Sequence, residues 1–257
     1  MLTIEPICAF HDNYIWMISH PESSRVIIVD PGEADGVLAV LKERQFSLAA
    51  ILITHHHHDH TGGIKALIEA YPAPVYGPAY DAVALCDRPL TEGDKVDLPD
   101  LKLSFQVLDI PGHTSGHIAF VGGGAVFCGD TLFTAGCGRL FEGTAEQMVC
   151  SLAKLARLPD DTLIYCGHEY TAANLRFAAA VEPGNVAILE RIRAVSLKRA
   201  QGLPTVPAPL ALEKQTNPFL RCHEPSVIDA AENHCGKSLS SDLIGVFSVI
   251  REWKNQF

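Results

Sequence analysis

The run ITHHHHDHTGG at residues 53–63 constrains this chain more than any other stretch. An apolar segment at 48–53 precedes it and reads as a buried strand; a helical pattern follows it, so the run is a loop at a strand's carboxyl edge. In extended backbone successive side chains alternate, which puts His55, His57 and Asp59 on one side and His56 and His58 on the other. A turn beginning at Asp59 brings His60 round to the same cavity. Four ligands within six residues are more than one cation takes conveniently from one loop, since each needs its own coordination direction. Two adjacent cations solve this, His55 and His57 serving the first, Asp59 and His60 the second. A solvated histidine-rich loop is the bland alternative, but it gives no reason for alternation that ends in Asp-His.

Two cations need further ligands, and other strand ends supply them. His113 lies in PGHTSGH after a strand ending at Ile110, Asp130 in CGDT after one ending at Cys128, and His168 in CGHEY after one ending at Cys166. A carboxylate offers two oxygens and can bridge two dications, so Asp130 is the natural bridge. His117 and Glu169 are weaker candidates, and His11, His20, His223 and His234 read as ordinary histidines.

Around these motifs, short apolar runs bounded by Gly, Pro or Asp predict strands at 3–9, 14–18, 25–29, 48–53, 101–110, 118–121, 125–128 and 162–166. Helices are expected at 33–44 and 64–71 and from Thr144 onward, where Thr144 and Gln147 form a capping box. Beyond Thr171 the pattern is helical, at 171–181, 186–201, 226–233 and 240–253, with no convincing strand. The chain therefore divides near residue 170 into a β-rich domain, 1–170, and a helical domain, 171–257, too small to be very stable alone.

Composition narrows the partners. Lys plus Arg is 20 against 30 Asp plus Glu, a formal −10, which disfavours nucleic acid and anionic membrane surfaces while leaving room for a small anion held by local cations. No apolar run approaches a membrane span, and the first residues lack a basic leader and carry Glu5 and Pro6. Eight cysteines without a CxxC pair read as free thiols in a reducing compartment. The expectation is a cytoplasmic protein, acting as a monomer, with no nucleic-acid or membrane partner.

With these motifs assembled, the sequence resembles the metallo-β-lactamase superfamily and, within it, the glyoxalase II (hydroxyacylglutathione hydrolase) family. The match spans nearly the whole chain, through Asp12-Asn13-Tyr14, THHHHDHTGG, PGHTSGH, GDTLFTAGCGRLFEGT, GHEYTAANLRFA, VEPGN, NPFLR at 217–221 and REWK at 251–254. The HxHxDH loop alone marks the superfamily; GCGRLFEGT, GHEYTAAN and the helical tail are more specific. The resemblance implies an α/β fold, an αββα four-layer sandwich with a C-terminal helical domain. It implies a first metal on His55, His57, His113 and Asp130, a second on Asp59, His60, Asp130 and His168, and glutathione contacts at Arg139, Phe141, Tyr170, Arg251 and Lys254. Some relatives have tyrosine where this chain has Phe141, so one hydroxyl contact to the ligand is missing here.

The implied reaction is hydrolysis of S-D-lactoylglutathione, or a similar S-2-hydroxyacylglutathione, to glutathione and the hydroxy acid, the second step of methylglyoxal detoxification. Two dications lower the pKa of a shared water toward about 7, with Asp59 orienting it, and offset the oxyanion charge. A thiolate leaves readily, so no strong general acid is needed. Zinc is the first expectation for the two cations, while iron and manganese suit the same ligands. A glutathione persulfide dioxygenase-like oxidoreductase with one iron is the rival of the same fold; it does not need Asp59, His60 and His168. A β-lactamase, a nuclease and a metal-storing module fit less well.

Overall fold

The structure, a computed structural model, describes residues 2–239 and 242–257. The chain opens with β1 (Thr3–Ala9), β2 (Asn13–Ser19) and β3 (Arg25–Val29), then α1 (Asp35–Arg44), β4 (Ser47–Leu52), the single turn α2 (His58–Thr61) and α3 (Ile64–Ala70). It continues through β5 (Val75–Pro78) and β6 (Arg88–Leu90), completing a mixed sheet in the order β1-β2-β3-β4-β5-β6.

The next strands are β7 (Lys95–Leu98), β8 (Leu103–Asp109), β9 (Ile118–Gly122) and β10 (Ala125–Gly129), then the short pair β11 (Leu132–Phe133) and β12 (Gly136–Cys137). After α4 (Ala145–Ala156) come β13 (Leu163–Cys166), α5 (Thr171–Val181), α6 (Val186–Ala200), β14 (Ala208–Pro209), α7 (Leu210–Thr216), α8 (Pro225–Cys235) and α9 (Leu243–Gln256). The second sheet runs β14-β13-β10-β9-β8-β7.

Period-2 alternation sets the layers. In β2 and β3, Tyr14, Trp16, Ile18, Ile27 and Val29 face the second sheet and join Phe105, Phe120 and Phe127 in one core. Their neighbours Ile15, Met17, Val26 and Ile28 face outward into a separate cluster with Val37 and Leu41 of α1 and Ile64 and Leu67 of α3. On the other side α4 adds Met148, Leu152 and Leu155 to the core of the second sheet. Ser151 Oγ donates to the Pro111 carbonyl and Lys154 Nζ to the Asp109 carbonyl, holding α4 beside the end of β8. Helix, sheet, sheet, helix is the αββα sandwich expected from the resemblance.

The capping box at α4 is present: Gln147 N donates to Thr144 Oγ1 at 3.2 Å and Thr144 N to Gln147 Oε1 at 2.9 Å. Thr144→Ala is expected to lower the unfolding free energy by about 1 kcal/mol, read from the urea midpoint at unchanged m-value.

Several expectations need correction. The stretch 72–100 holds three strands that the sequence reading left unassigned. The segments VYGP and RPL carry Gly and Pro and read as turns, yet they pair in parallel beyond β4 toward the sheet edge, where a missing N–H is tolerated. The strand expected at 101–110 starts at Leu103, because Pro99–Leu101 forms a 3₁₀ turn closed by Lys102 in the left-handed region. The last third also contains the short β14 on β13, and α7, which starts directly after the proline-rich run. Of the helix expected at 240–253, Ser240 and its neighbour Ser241 lie outside the described residues, and the described part runs to Gln256.

The C-terminal helices are bolted to the sandwich by buried polar groups. Glu213 ion-pairs with Arg191 and accepts from Ala135 N at 2.7 Å, while Asn217 Nδ2 donates to the Phe133 and Gly136 carbonyls. Arg251 and Lys254 are thereby carried to the side of the sandwich where β10 and β13 end. None of the described helices is long and apolar enough to cross a membrane.

Candidate metal centre

Four loops meet at one edge of the sandwich, leaving the carboxyl ends of β4, β8, β10 and β13, and they bring together all seven residues singled out as ligands. The donor atoms of His55, His57 and His113 lie within 4.8 Å of one another, as do those of Asp59, His60 and His168. Asp130 stands between the two groups, with Oδ1 3.4 Å from His60 Nε2 and Oδ2 3.6 Å from His113 Nε2 and 3.3 Å from His168 Nε2. Asp59 Oδ2 is 3.6 Å from His60 Nε2 and 3.5 Å from His168 Nε2. Close packing is needed here: a Cβ on Gly167 would fall 2.6 Å from both Asp130 Oδ1 and His60 Cε1.

Each imidazole except His57 is tethered through the nitrogen that faces away from the centre. His55 Nδ1 donates to Thr54 Oγ1 at 3.0 Å, and that hydroxyl donates to Asp30 Oδ2. His60 Nδ1 is 3.1 Å from Asp30 Oδ2, His113 Nδ1 2.9 Å from the Arg139 carbonyl, and His168 Nδ1 2.8 Å from Asp12 Oδ1. These outer partners hold the rings so that four Nε2 atoms point inward, the arrangement by which second partners orient metal-binding histidines. Asn13 Nδ2 does the same for Asp59, donating to its Oδ2 at 3.0 Å. The sequence reading missed Asp30, Thr54 and Asp12 as orienting groups. Asp30 directly follows β3, a strand end like those before His113, Asp130 and His168, which is the one signal that could have found it.

The residues fit divalent cations. His57 Nδ1 lies 3.2 Å from His55 Nε2 and 3.0 Å from His113 Nε2, so three nitrogen lone pairs converge with room for few protons between them. His60 Nε2 and Asp130 Oδ1 are buried without a hydrogen-bond partner, a costly state for any polar group that nothing else engages. Burial, then the neighbouring imidazoles, push His55 well below the ordinary histidine range. Burial also opposes charge on His168, but Asp130, Asp59 and Asp12 override it and raise it to about 11. Asp130 is held far below the usual carboxylate range, because His60, His168 and His113 outweigh the burial that would raise it. Imidazole nitrogens and ionised carboxylates around one buried space, with the carboxylates favouring positive charge there, are the donor set of a divalent metal site.

His117 is adjacent but differently engaged. It stacks on His55, its Nδ1 donates to the Ile118 carbonyl, and its Nε2 accepts from Asp130 N, so both nitrogens are used; burial lowers its pKa to about 3. Glu169 faces away, accepting from Tyr14 Oη and from Thr205 N and Oγ1. His56 points outward, as alternation requires, between Asp81 and Glu142. His234 stacks on Trp253, and His223 is exposed beside Glu224.

A cavity of about 440 Å³ opens from the centre, lined by His113, Asp130, Arg139, Phe141, Tyr170, Arg251 and Lys254 among others. It thus receives all five residues expected to contact substrate. Tyr170 stacks on His168 at 4.7 Å, and Phe141, largely exposed, sets its ring edge-on to His113 and His57. Arg251 is buried, with Nη1 donating to the Cys137 carbonyl at 2.7 Å and Nη2 to Asn255 Oδ1 at 3.2 Å, while Nε has no partner. Among the described residues it forms no ion pair. Lys254, packed over Phe177, is pushed down to about 8 by burial and by the cations Arg251 and Arg176.

Two facing mixed sheets between helices, with a His/Asp cluster on the edge, define a metallo-β-lactamase-fold protein. Residues 10–168 match the family described as the metallo-beta-lactamase superfamily, and residues 169–257 match that described as the hydroxyacylglutathione hydrolase C-terminus. Hydroxyacylglutathione hydrolases of Nitrosomonas eutropha and Alkalilimnicola ehrlichii are 51% and 53% identical to this chain, each covering 100% of both sequences. The chain belongs to the hydroxyacylglutathione hydrolase family. Among solved structures it is similar to ETHE1 from Myxococcus xanthus (TM-score 0.68, 27% identity, 98% of this chain and 90% of that one). It is also similar to TTHA1623 in a di-iron-bound form (TM-score 0.59, 27% identity, 85% of this chain and 100% of that one).

Proposed function

We propose that this chain is an enzyme that hydrolyses the thioester of S-D-lactoylglutathione and related S-2-hydroxyacylglutathiones, giving glutathione and the free hydroxy acid. Full-length relatives at about half identity carry the hydrolase name, which favours this reading over the single-iron oxidoreductase. The observation that carries it is the buried Arg251 guanidinium, which forms no ion pair among the described residues, one helical turn from Lys254 in a cavity that opens onto the His/Asp cluster. A buried charge of this kind needs an anion, and glutathione carries carboxylates.

In this reading His55, His57 and His113 would hold one divalent ion and Asp59, His60 and His168 the other, with Asp130 available to both; zinc is our proposal for both. Such ions supply Lewis-acid charge that lowers the pKa of a water toward about 7 and offsets charge on the carbonyl oxygen. The protein's own groups do the rest. Arg251, Lys254 and Arg139 hold the glutathione carboxylates, while Tyr170 and Phe141 flank the thioester. Asp59, whose Oδ2 accepts from Asn13 Nδ2, would orient the attacking water through its carboxylate. The water oxygen bonds to the carbonyl carbon as a water proton passes to solvent or to the departing sulfur, and the C–S bond breaks with its electron pair on sulfur; a thiolate whose thiol has pKa about 8.5 departs without a strong general acid.

The catalytic domain in this reading is 1–170 and the substrate-binding domain 171–257, and one chain supplies every site residue, so a monomer suffices. Eight free cysteines support a reducing, cytoplasmic setting. Zinc-loaded protein is expected to cleave S-D-lactoylglutathione, to lose turnover when a chelator strips the metal, and to regain it on adding about two equivalents. Turnover that survives complete stripping overturns the reading. So does oxygen uptake with glutathione persulfide in the absence of thioester cleavage.

A further inference from the structure

Asp81 lies outside every motif that pointed to the metal centre, yet its carboxylate joins two of the ligand-bearing loops. The side chain is 2% exposed. Oδ2 accepts from Thr114 Oγ1 at 2.7 Å and from His56 N at 3.3 Å, and lies 3.0 Å from His56 Nδ1. Oδ1 accepts from Gly116 N at 2.7 Å. A Cβ on Gly116 would sit 2.5 Å from Asp81 Oδ1, so that residue must be small for its N–H to reach. His56 stands between His55 and His57, and Thr114 directly follows His113.

We propose that Asp81 is a positioning residue for the first metal triad, its single buried carboxylate clamping the loop that carries His55 and His57 to the loop that carries His113. The inference rests on the ligand assignment under Proposed function. A backbone bond from Ile118 N to the Thr54 carbonyl joins the same two loops, but at their far end from His57 and His113. Glu142 repeats the clamp from the solvent side, facing His56 Nε2 at 3.2 Å and accepting from Ser115 N at 2.9 Å. The buried member is the stronger one, because in a low-dielectric site its hydrogen bonds do not compete with water. The second triad is oriented by other groups, Asp30, Asp12 and Asn13, so the effect of Asp81 is selective.

The test uses full-length protein loaded with zinc and titrated with a chelator, metal per chain being measured directly. Asp81→Asn turns an acceptor toward His56 N–H and Thr114 Oγ1 into a donor while preserving shape. One equivalent is expected to bind about 10- to 100-fold more weakly than in the parent, the other unchanged, with kcat lowered and KM unaltered. Thr114→Val, which removes one arm of the clamp, is expected to shift the same equivalent by less; it carries the test if the Asn variant does not fold. Both equivalents leaving as in the parent, or both weakening alike, overturns the proposal. Should the parent bind no metal at all, the ligand assignment fails and takes this inference with it; a parent holding two equivalents beside an indifferent variant overturns this inference alone.

Discussion

Asp130→Ala is expected to reduce kcat by on the order of 10³-fold or more and to leave the purified protein with less than its full complement of metal. The reason is geometric. Asp130 lies within 3.6 Å of nitrogens in both triads, reaching His113 on one side and His60 and His168 on the other. Its removal leaves each triad without an anionic ligand in common, and the two cations' mutual repulsion is no longer offset. Asp130→Asn separates shape from charge: it preserves the volume but removes the negative charge and one acceptor, and kcat is again expected to fall steeply. The loop itself is held independently, because Asp130 N still donates to His117 Nε2 and Gly167 N to the Gly129 carbonyl in either variant. Folding can therefore be checked by circular dichroism alongside metal analysis and the thioester assay. Either variant turning over at a rate near the parent's removes Asp130 from the mechanism.

What the sequence made legible was local. Alternation placed His55 and His57 on one side and strand ends marked His113, Asp130 and His168, whereas Asp59, expected on the same extended stretch, lies with His60 in the helical turn α2, which starts at His58. The capping box at Thr144 needed only a three-residue spacing. What stayed hidden depends on partners distant in sequence. Asp12 reaches His168 and Asp81 reaches Gly116 only once the sheets have folded, and the carbonyl of Arg139 that orients His113 has no side-chain signature at all. The cation is what marks Arg139 in the sequence, yet its backbone carbonyl also engages His113. The unassigned strands of the 72–100 stretch fail for a related reason. β5 and β6 are three or four residues long with Gly or Pro inside, and tertiary pairing overrides their propensity.

Arg251→Ala is expected to raise KM for S-D-lactoylglutathione about 10- to 150-fold, corresponding to about 1.5–3 kcal/mol for a hydrogen bond to a charged group, with kcat within a few-fold of the parent. Arg251 lies in the cavity beside the His/Asp cluster rather than within it, so a contact with a glutathione carboxylate there would be made equally in the ground and transition states. A fall in kcat at unchanged KM rejects that role. Lys254 gives the same binding a pH dependence. Burial and the positive charges of Arg251, Arg176 and Arg139 lower it to about 8, with only the Cys137 thiol acting in the opposite sense. The ammonium is therefore charged below pH 8 and neutral above it, and KM is expected to rise as pH passes from 7 to 9. In Lys254→Met that rise flattens, starting from a higher KM at pH 7. The ligand-free protein responds differently. Removing the Arg251 guanidinium discards its bonds to the Cys137 carbonyl and Asn255 but also relieves a buried charge that forms no ion pair. Arg251→Met is accordingly expected to change the unfolding free energy of the ligand-free protein by no more than about 1 kcal/mol. A large loss of binding beside a small change in stability separates a cation held for its ligand from one held for the fold.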